Sequence, residues 1–200
     1  MAGKAIVAGG SIGGLFAAAA LMRRGWEVTV CERTGVELSG RGAGIVTHPE
    51  LVAALEEVGA PTAELGVPVA ERVAFDIDGG RVHRVAFPQV VTSWDRIHQL
   101  LRALIPAGAH RLGRTVTGYE DRGGAVRVRF AEGGGDEADL LVGADGFRSA
   151  VRGQMLPAVA PEYSGYVVWR AVAEEADLPA AVHAAIFAPF GFFTFLIGTT

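Results

Sequence analysis

Ser11 stands in a cluster of glycines, Gly9-Gly10-Ser11-Ile12-Gly13-Gly14, between the apolar run Ala5 to Ala8 and a helix-forming stretch from Leu15 to Arg24. Two chemistries use such a turn. In the first, Gly9 permits a tight turn after a strand, Ser11 replaces the middle glycine of G-x-G-x-x-G, and Gly14 lets helix and strand approach closely. Backbone N–H groups and the positive end of the helix dipole then hold a pyrophosphate without any basic side chain. In the second, Gly9 to Gly13 match the G-x-S-x-G nucleophile elbow, and Ser11 attacks as a serine hydrolase does. An elbow normally follows several strands and an oxyanion loop, whereas a single strand precedes Ser11, which weighs against the hydrolase.

Glu32 tips the balance further toward a dinucleotide. It lies 23 positions after Gly9 at the end of the next strand, Glu27 to Arg33, where a carboxylate accepts hydrogen bonds from an adenosine ribose. A carboxylate there disfavours a 2′-phosphate, so FAD or NAD fits better than NADP. Three further signals are weaker. Arg96, in the first turn of a helix opened by Ser93-Trp94-Asp95, opposes the helix dipole unless an anion is near. Arg41, between Gly40 and Gly42, is a similar phosphate candidate. Asp145-Gly146 ends a strand with a carboxylate for hydroxyls beside a residue without a side chain. Arg148, Ser149 and Arg152 are explained equally well by a helix start.

The bulk properties exclude several classes. The 200 residues are 50% hydrophobic and 20% charged, with 28 glycines, too many for a helical bundle. A net charge of −4 offers no general attraction to nucleic acid or anionic membranes. The single cysteine, Cys31, excludes an intrachain disulfide framework. No signal peptide or apolar span is present, and the reading is a cytoplasmic protein. The histidines, His48, His83, His98, His110 and His183, show no metal-ligand spacing, so no metal is predicted.

The elements that must position these residues follow from periodicity. Strand, glycine turn, helix and strand fill the first thirty-odd residues, with Gly25 as a left-handed helix stop. Thr47-His48-Pro49-Glu50 reads as a capping box opening a helix of about three turns, with Leu51, Leu55 and Val58 on one face and Gly59 as its end. Glu71 to Ile77 and Arg81 to Phe87 form a hairpin around Asp78-Gly79-Gly80. The helix from Ser93 buries Ile97, Leu100, Leu101 and Leu104. Arg114 to Asp121, Ala125 to Phe130 and Asp139 to Val142 are strands, separated by turns at 122–124 and 132–137. From about Ser164 the chain becomes aromatic and strand-like, through Tyr166, Trp169 and five phenylalanines from Phe187 to Phe195. The expected organisation is 1–70 as an α/β cofactor-binding unit, 71–92 as an inserted hairpin of a substrate domain, 93–160 as the cofactor-binding unit continued, and 161–200 as the start of a substrate-domain sheet.

Taken in order, Gly9 to Gly14, Cys31-Glu32-Arg33, Gly42-Ala43-Gly44-Ile45-Val46, Trp94-Asp95-Arg96, Gly143-Ala144-Asp145-Gly146 with Ser149 and Arg152, and Tyr163 to Arg170 resemble class A FAD-dependent aromatic monooxygenases. Within that family, Ser39 to Gly59 and Tyr163 to Arg170 look most like the 2,6-dihydroxypyridine 3-monooxygenase group. The resemblance implies a p-hydroxybenzoate-hydroxylase-like fold, with a Rossmann-like FAD-binding domain interleaved with a sheet-based substrate domain. It implies that Ser11, Ile12 and Gly14, with Gly9 and Gly13 in the same turn, meet the pyrophosphate. Glu32 and Arg33 would meet the adenosine, Arg41 and Arg96 the pyrophosphate or ribityl region, and Asp145 and Gly146 the pyrophosphate face. The implied chemistry is reduction of FAD by NADH or NADPH, capture of O2 as a flavin hydroperoxide, and hydroxylation of a small aromatic or heteroaromatic substrate. Members continue to a Gly-Asp motif over the ribityl chain that these residues lack, so the expectation is an N-terminal portion that works with a complementing C-terminal half, or a homo-oligomer. The alternative is a catalytically silent flavin-binding or partner-binding module.

Overall fold

A computed structural model of the chain describes residues 2–40, 44–75, 81–167 and 175–184. In order, the elements are β1 (Gly3–Ala8), α1 (Ile12–Arg23), β2 (Trp26–Glu32), β3 (Gly44–Val46), α2 (Pro49–Glu57), β4 (Val67–Phe75), β5 (Arg81–Ser93), α3 (Trp94–Arg102), β6 (His110–Leu112), β7 (Val116–Asp121), β8 (Val126–Phe130), β9 (Gly135–Ala138), β10 (Leu140–Gly143) and α4 (Ala150–Met155). This is the mixed α/β class that the sequence predicts.

Strand β1 is the axis of the fold. It lies inside a parallel sheet of order β10-β1-β2-β6, with Val7 opposite Val30 on one side and Val142 on the other. A parallel strand covered on both faces must be apolar throughout rather than alternating, which is why Ala5 to Ala8 reads as an unbroken run. Successive side chains point to opposite faces. Ala5 and Val7 therefore pack with Leu15 and Ala18 of α1, Leu55 of α2, and Ile97 and Leu101 of α3. Ile6 and Ala8 pack with Val116, Val128, Phe130 and Val151 under the antiparallel sheet β7-β8-β9. Burying a side chain such as Leu15 or Leu101 contributes about 1.5–3 kcal/mol, so these two cores hold β1 from above and below. A third sheet, β3-β5-β4, is antiparallel and runs directly into α3.

The helix signals are met with local adjustments. Gly25 and Gly59 take φ of +81° and +86° after their helices, as left-handed stops must. The second helix is capped by His48, whose ring accepts from the Leu51 N–H, and not by Thr47. The Thr47 hydroxyl instead donates to the Val90 carbonyl of β5 at 2.8 Å, a partner distant in sequence. The segment 132–137, expected as one turn, turns only as far as Gly134, with Gly133 and Gly134 at φ +86° and +75°, and then pairs as β9 along β8. Arg111 reaches across to Asp136 at 2.7 Å, which ties that strand to β6. Strands β3 and β6 are too short for a period-two signal. The Asp78-Gly79-Gly80 turn, Trp169 and Phe187 to Phe195 lie outside the described residues. Of the expected C-terminal sheet, residues 161–167 and 175–184 are described, and they form no strand.

Candidate functional site

The carboxyl end of β1 is where the connections diverge, toward β2 on one side and β10 on the other, and crevices in open α/β sheets form at such a switch point. A cleft of about 330 Å3 opens there. It is lined by Gly9, Ser11, Glu32, Arg33, Asp145 and Gly146, so six of the residues singled out from the sequence converge on one place.

Sterics shape the turn. Gly9 has φ of +106°, and a Cβ on it would lie 2.3 Å from the Ala144 carbonyl oxygen. A Cβ on Gly14 would lie 1.9 Å from the Gly9 carbonyl oxygen, so α1 can pack this close to β1 only with glycine at that position. Gly13 differs, because nothing lies within 4 Å of the Cβ position. Its bare backbone answers no packing demand and leaves the first turn of α1 open to a ligand. Ser11 caps α1 through its backbone alone, and no acidic residue occupies the first turn. The N-terminal end of the helix is thus not neutralised from within its own turn, as an anion site requires.

Glu32 is buried, yet every oxygen has a donor. The Gly10 N–H donates to Oε2 at 2.8 Å, and the Thr34 N–H and hydroxyl donate to Oε1 at 2.9 and 2.8 Å. Burial works to raise its pKa, but the hydrogen bonds from Thr34 and Gly10 outweigh it and hold the carboxyl below its ordinary value. The group is an anchored carboxylate with one lone pair, on Oε2, to spare for a ligand hydroxyl. Across the cleft, Asp145 accepts from the Ser149 hydroxyl at 2.5 Å and from the Ala150 and Val151 N–H groups at 2.7 and 3.3 Å. Arg152 donates to the Gly146 and Phe147 carbonyls and closes the loop between β10 and α4. Gly146, at φ +82° with nothing within 4 Å of a Cβ, leaves open backbone toward the cleft.

Ile12, Gly13 and Gly14 continue from the turn into α1 and are not among the residues that line the cleft. One further candidate stands apart. Arg96 does not line the cleft: its guanidinium donates to the Glu64 carbonyl at 3.1 Å, and its N–H is taken by the Ser93 hydroxyl at 3.0 Å. The guanidinium is held by a loop carbonyl, and Asp95 in the same first turn supplies the negative charge that suits a helix start. Arg41 lies outside the described residues. Conversely, the cleft includes Trp94, Arg114 and Arg148, which sequence reasoning did not place there. Trp94 opens α3, and an aromatic at a helix start carries no signal of what it faces. Arg114 stacks over Phe130 at 3.9 Å, a pairing between residues whose proximity only the β7-β8 hairpin creates.

Serine hydrolysis does not fit. Ser11 has φ −81° and ψ −177°, ordinary extended backbone rather than the strained elbow, and the ring of His98 is directed at the Gly10 carbonyl. Cys31 also lines the cleft, but burial pushes its thiol up to about 11, leaving no thiolate nucleophile at neutral pH. Among the described residues, no cluster of histidine, cysteine and carboxylates could hold a metal, and no helix is long and apolar enough to cross a membrane.

Comparison with known proteins identifies the family and the fold. A family profile described as FAD binding domain matches residues 3–191. The chain is 38% identical over 173 residues to 2,6-dihydroxypyridine 3-monooxygenase of Paenarthrobacter nicotinovorans, covering 86% of this chain and 43% of the relative. On the solved 2,6-dihydroxypyridine-3-hydroxylase from Arthrobacter nicotinovorans it superposes with a TM-score of 0.83 at 35% identity, covering 93% of this chain and 47% of that one. Klebsiella pneumoniae HpxO, solved with FAD and uric acid, gives a TM-score of 0.65 at 26% identity, covering 76% of this chain and 41% of HpxO. The chain spans less than half the length of each of these relatives.

Proposed function

The chain belongs to the FAD-binding domain family, and from that premise we propose that it is the FAD-holding portion of a monooxygenase that hydroxylates a small aromatic or heteroaromatic ring, using O2 and NADH or NADPH in the cytoplasm. The observation that carries this reading is the convergence of a helix N-terminus without a side-chain cap, the anchored Glu32 carboxylate and the Asp145-Gly146 loop on one cleft. Ser11, Ile12 and Gly13 would offer N–H groups to the pyrophosphate. Glu32, with Arg33 beside it, would take the adenosine end, and Asp145 and Gly146 would close the opposite wall. Arg41 belongs to the same proposal as a further phosphate contact.

When bound, the flavin supplies the electron transfer and oxygen chemistry. The residues of this chain position it. Glu32, ionised and tied to Gly10, fixes the turn before anything binds, so little ordering remains at the moment of binding. The cleft wall of Val116, Leu38 and Trp94 excludes water from one side. The hairpin β4–β5 and residues 161–200 form part of the substrate side in this proposal. Tyr163, Tyr166 and Val167 are exposed, a surface that a C-terminal half or a second copy would cover. Light scattering reads that last element, and a clean monomer counts against self-association.

The test is the visible spectrum of the purified chain after incubation with FAD and removal of excess. A retained flavin spectrum is the expected result, and a colourless protein sinks the reading for this chain. The other reading, a silent flavin-binding module, is separated by assaying ring hydroxylation with NADH or NADPH. A hydroxylated product excludes it.

A further inference from the structure

Beneath the glycine turn lies a group that the reading above does not use. His98 of α3 is 3% exposed, and its Nε2 sits 3.2 Å from the Gly10 carbonyl oxygen. A carbonyl only accepts, so Nε2 carries the proton and donates. The indole of Trp94, one helical turn earlier, stacks on the imidazole with centroids 4.7 Å apart and planes 14° from parallel, and the same indole lines the cleft.

We propose that His98, its ring held by Trp94, is a positioning residue that aims the Ser11 N–H into the cleft. The proposal rests on the flavin reading and deepens it. The argument is geometric. No peptide bond among the described residues is cis, so the Ser11 N–H runs antiparallel to the Gly10 carbonyl across one rigid plane. Drawing that carbonyl toward His98 turns the N–H away from His98, and Ser11 is one of the residues that line the cleft. The other side of Gly10 is held as well, since its N–H donates to Glu32. Gly10 is thus gripped at both ends by side chains from two different elements, and the peptide that follows it has one orientation. A purely packing side chain at position 98 would fill the same space without a donor to hold that carbonyl.

The ligand class is a pyrophosphate ester, and the probe is FAD itself. Flavin fluorescence titrations of the chain compare the wild type with His98→Phe, which keeps a ring to stack on Trp94 but has no donor, and His98→Gln, which restores an N–H. His98→Phe is expected to weaken FAD binding about tenfold, the size of one lost hydrogen bond, with His98→Gln recovering most of it. The Ser11 amide shift in nitrogen-15 NMR of the cofactor-free chain moves in His98→Phe and returns in His98→Gln. Equal affinity in folded His98→Phe and wild type overturns the proposal, as does equal loss in both variants. Should His98→Phe not fold, the ring nitrogen shifts of the wild type decide: a protonated Nε2 is required, and a bare Nε2 refutes the donor role. A wild-type chain that binds no FAD refutes the flavin reading and this role together, whereas binding indifferent to His98 refutes this role alone.

Discussion

Two carboxylates flank the central strand, Glu32 at the end of β2 and Asp145 just beyond β10, and each accepts three hydrogen bonds from the protein. They spend those bonds differently. Glu32 accepts two of its three from Thr34 beside it and the third from Gly10 across the sheet, so part of its energy goes into the shape of the glycine turn. Asp145 bonds forward to Ser149, Ala150 and Val151, so its energy goes into starting α4 and folding its own loop. One carboxylate is part of a tertiary clamp and the other is a local cap. Two carboxylates at the ends of the strands that flank β1 thus serve two purposes, and burial separates them: Glu32 is 6% exposed, while Asp145 is half-buried.

The comparison presupposes a rigid turn between the two walls, and the largest effect comes from removing it. Gly14→Ala places a methyl 1.9 Å from the Gly9 carbonyl oxygen and is expected to cost about 3 kcal/mol or more, read as the midpoint of chemical unfolding. Glu32→Gln comes next. It sets an amide donor against a buried N–H, with an expected loss of about 2 kcal/mol and of FAD binding together. Asp145→Ala removes a cap and is expected to cost about 1 kcal/mol, with hydrogen exchange accelerated in 146–155 and little changed at Gly10. If exchange at Gly10 rises as much in Asp145→Ala as in Glu32→Gln, the two carboxylates are one network and the distinction fails.

Acid sharpens the contrast. The Glu32 carboxyl titrates below its ordinary value of 4.5 in the folded chain, so its contribution is complete above that pH and is lost as pH falls through the lower folded value. Stability of the wild type is therefore expected to fall more steeply below about pH 4.5 than that of Glu32→Gln, measured as unfolding midpoint against pH. The smallest effect has the opposite sign. Gly13→Ala sits in the first turn of α1 with open space around its Cβ, and is expected to stabilise the cofactor-free chain by about 0.5 kcal/mol while weakening FAD binding. A Gly13→Ala chain that binds FAD as tightly as the wild type would show that the ligand does not approach that backbone.

Much of this was legible in the residues alone. The βαβ unit was readable because both its signals are local. Gly9 and Gly14 answer clashes within a single turn, and the unbroken apolar run of β1 announces burial on two faces. Helix α3 was readable from its Ser93 cap and its Ile97-Leu100-Leu101 face. Strand β9 was not, because Gly135-Asp136-Glu137 has the composition of a turn, and its pairing with β8 and the Arg111 to Asp136 contact come from elsewhere in the chain.

The candidate site divides along the same line. The sequence by itself determined which backbone can bend and approach closely, where a helix must start, and that carboxylates end the flanking strands, because those constraints act over a few bonds or one turn. Only the tertiary structure decided that Arg96 turns to the Glu64 carbonyl, that Trp94 and Arg114 enter the cleft instead, and that His98 grips Gly10. A long side chain has many rotamers of similar local energy, and the partner that selects one of them lies tens of residues away.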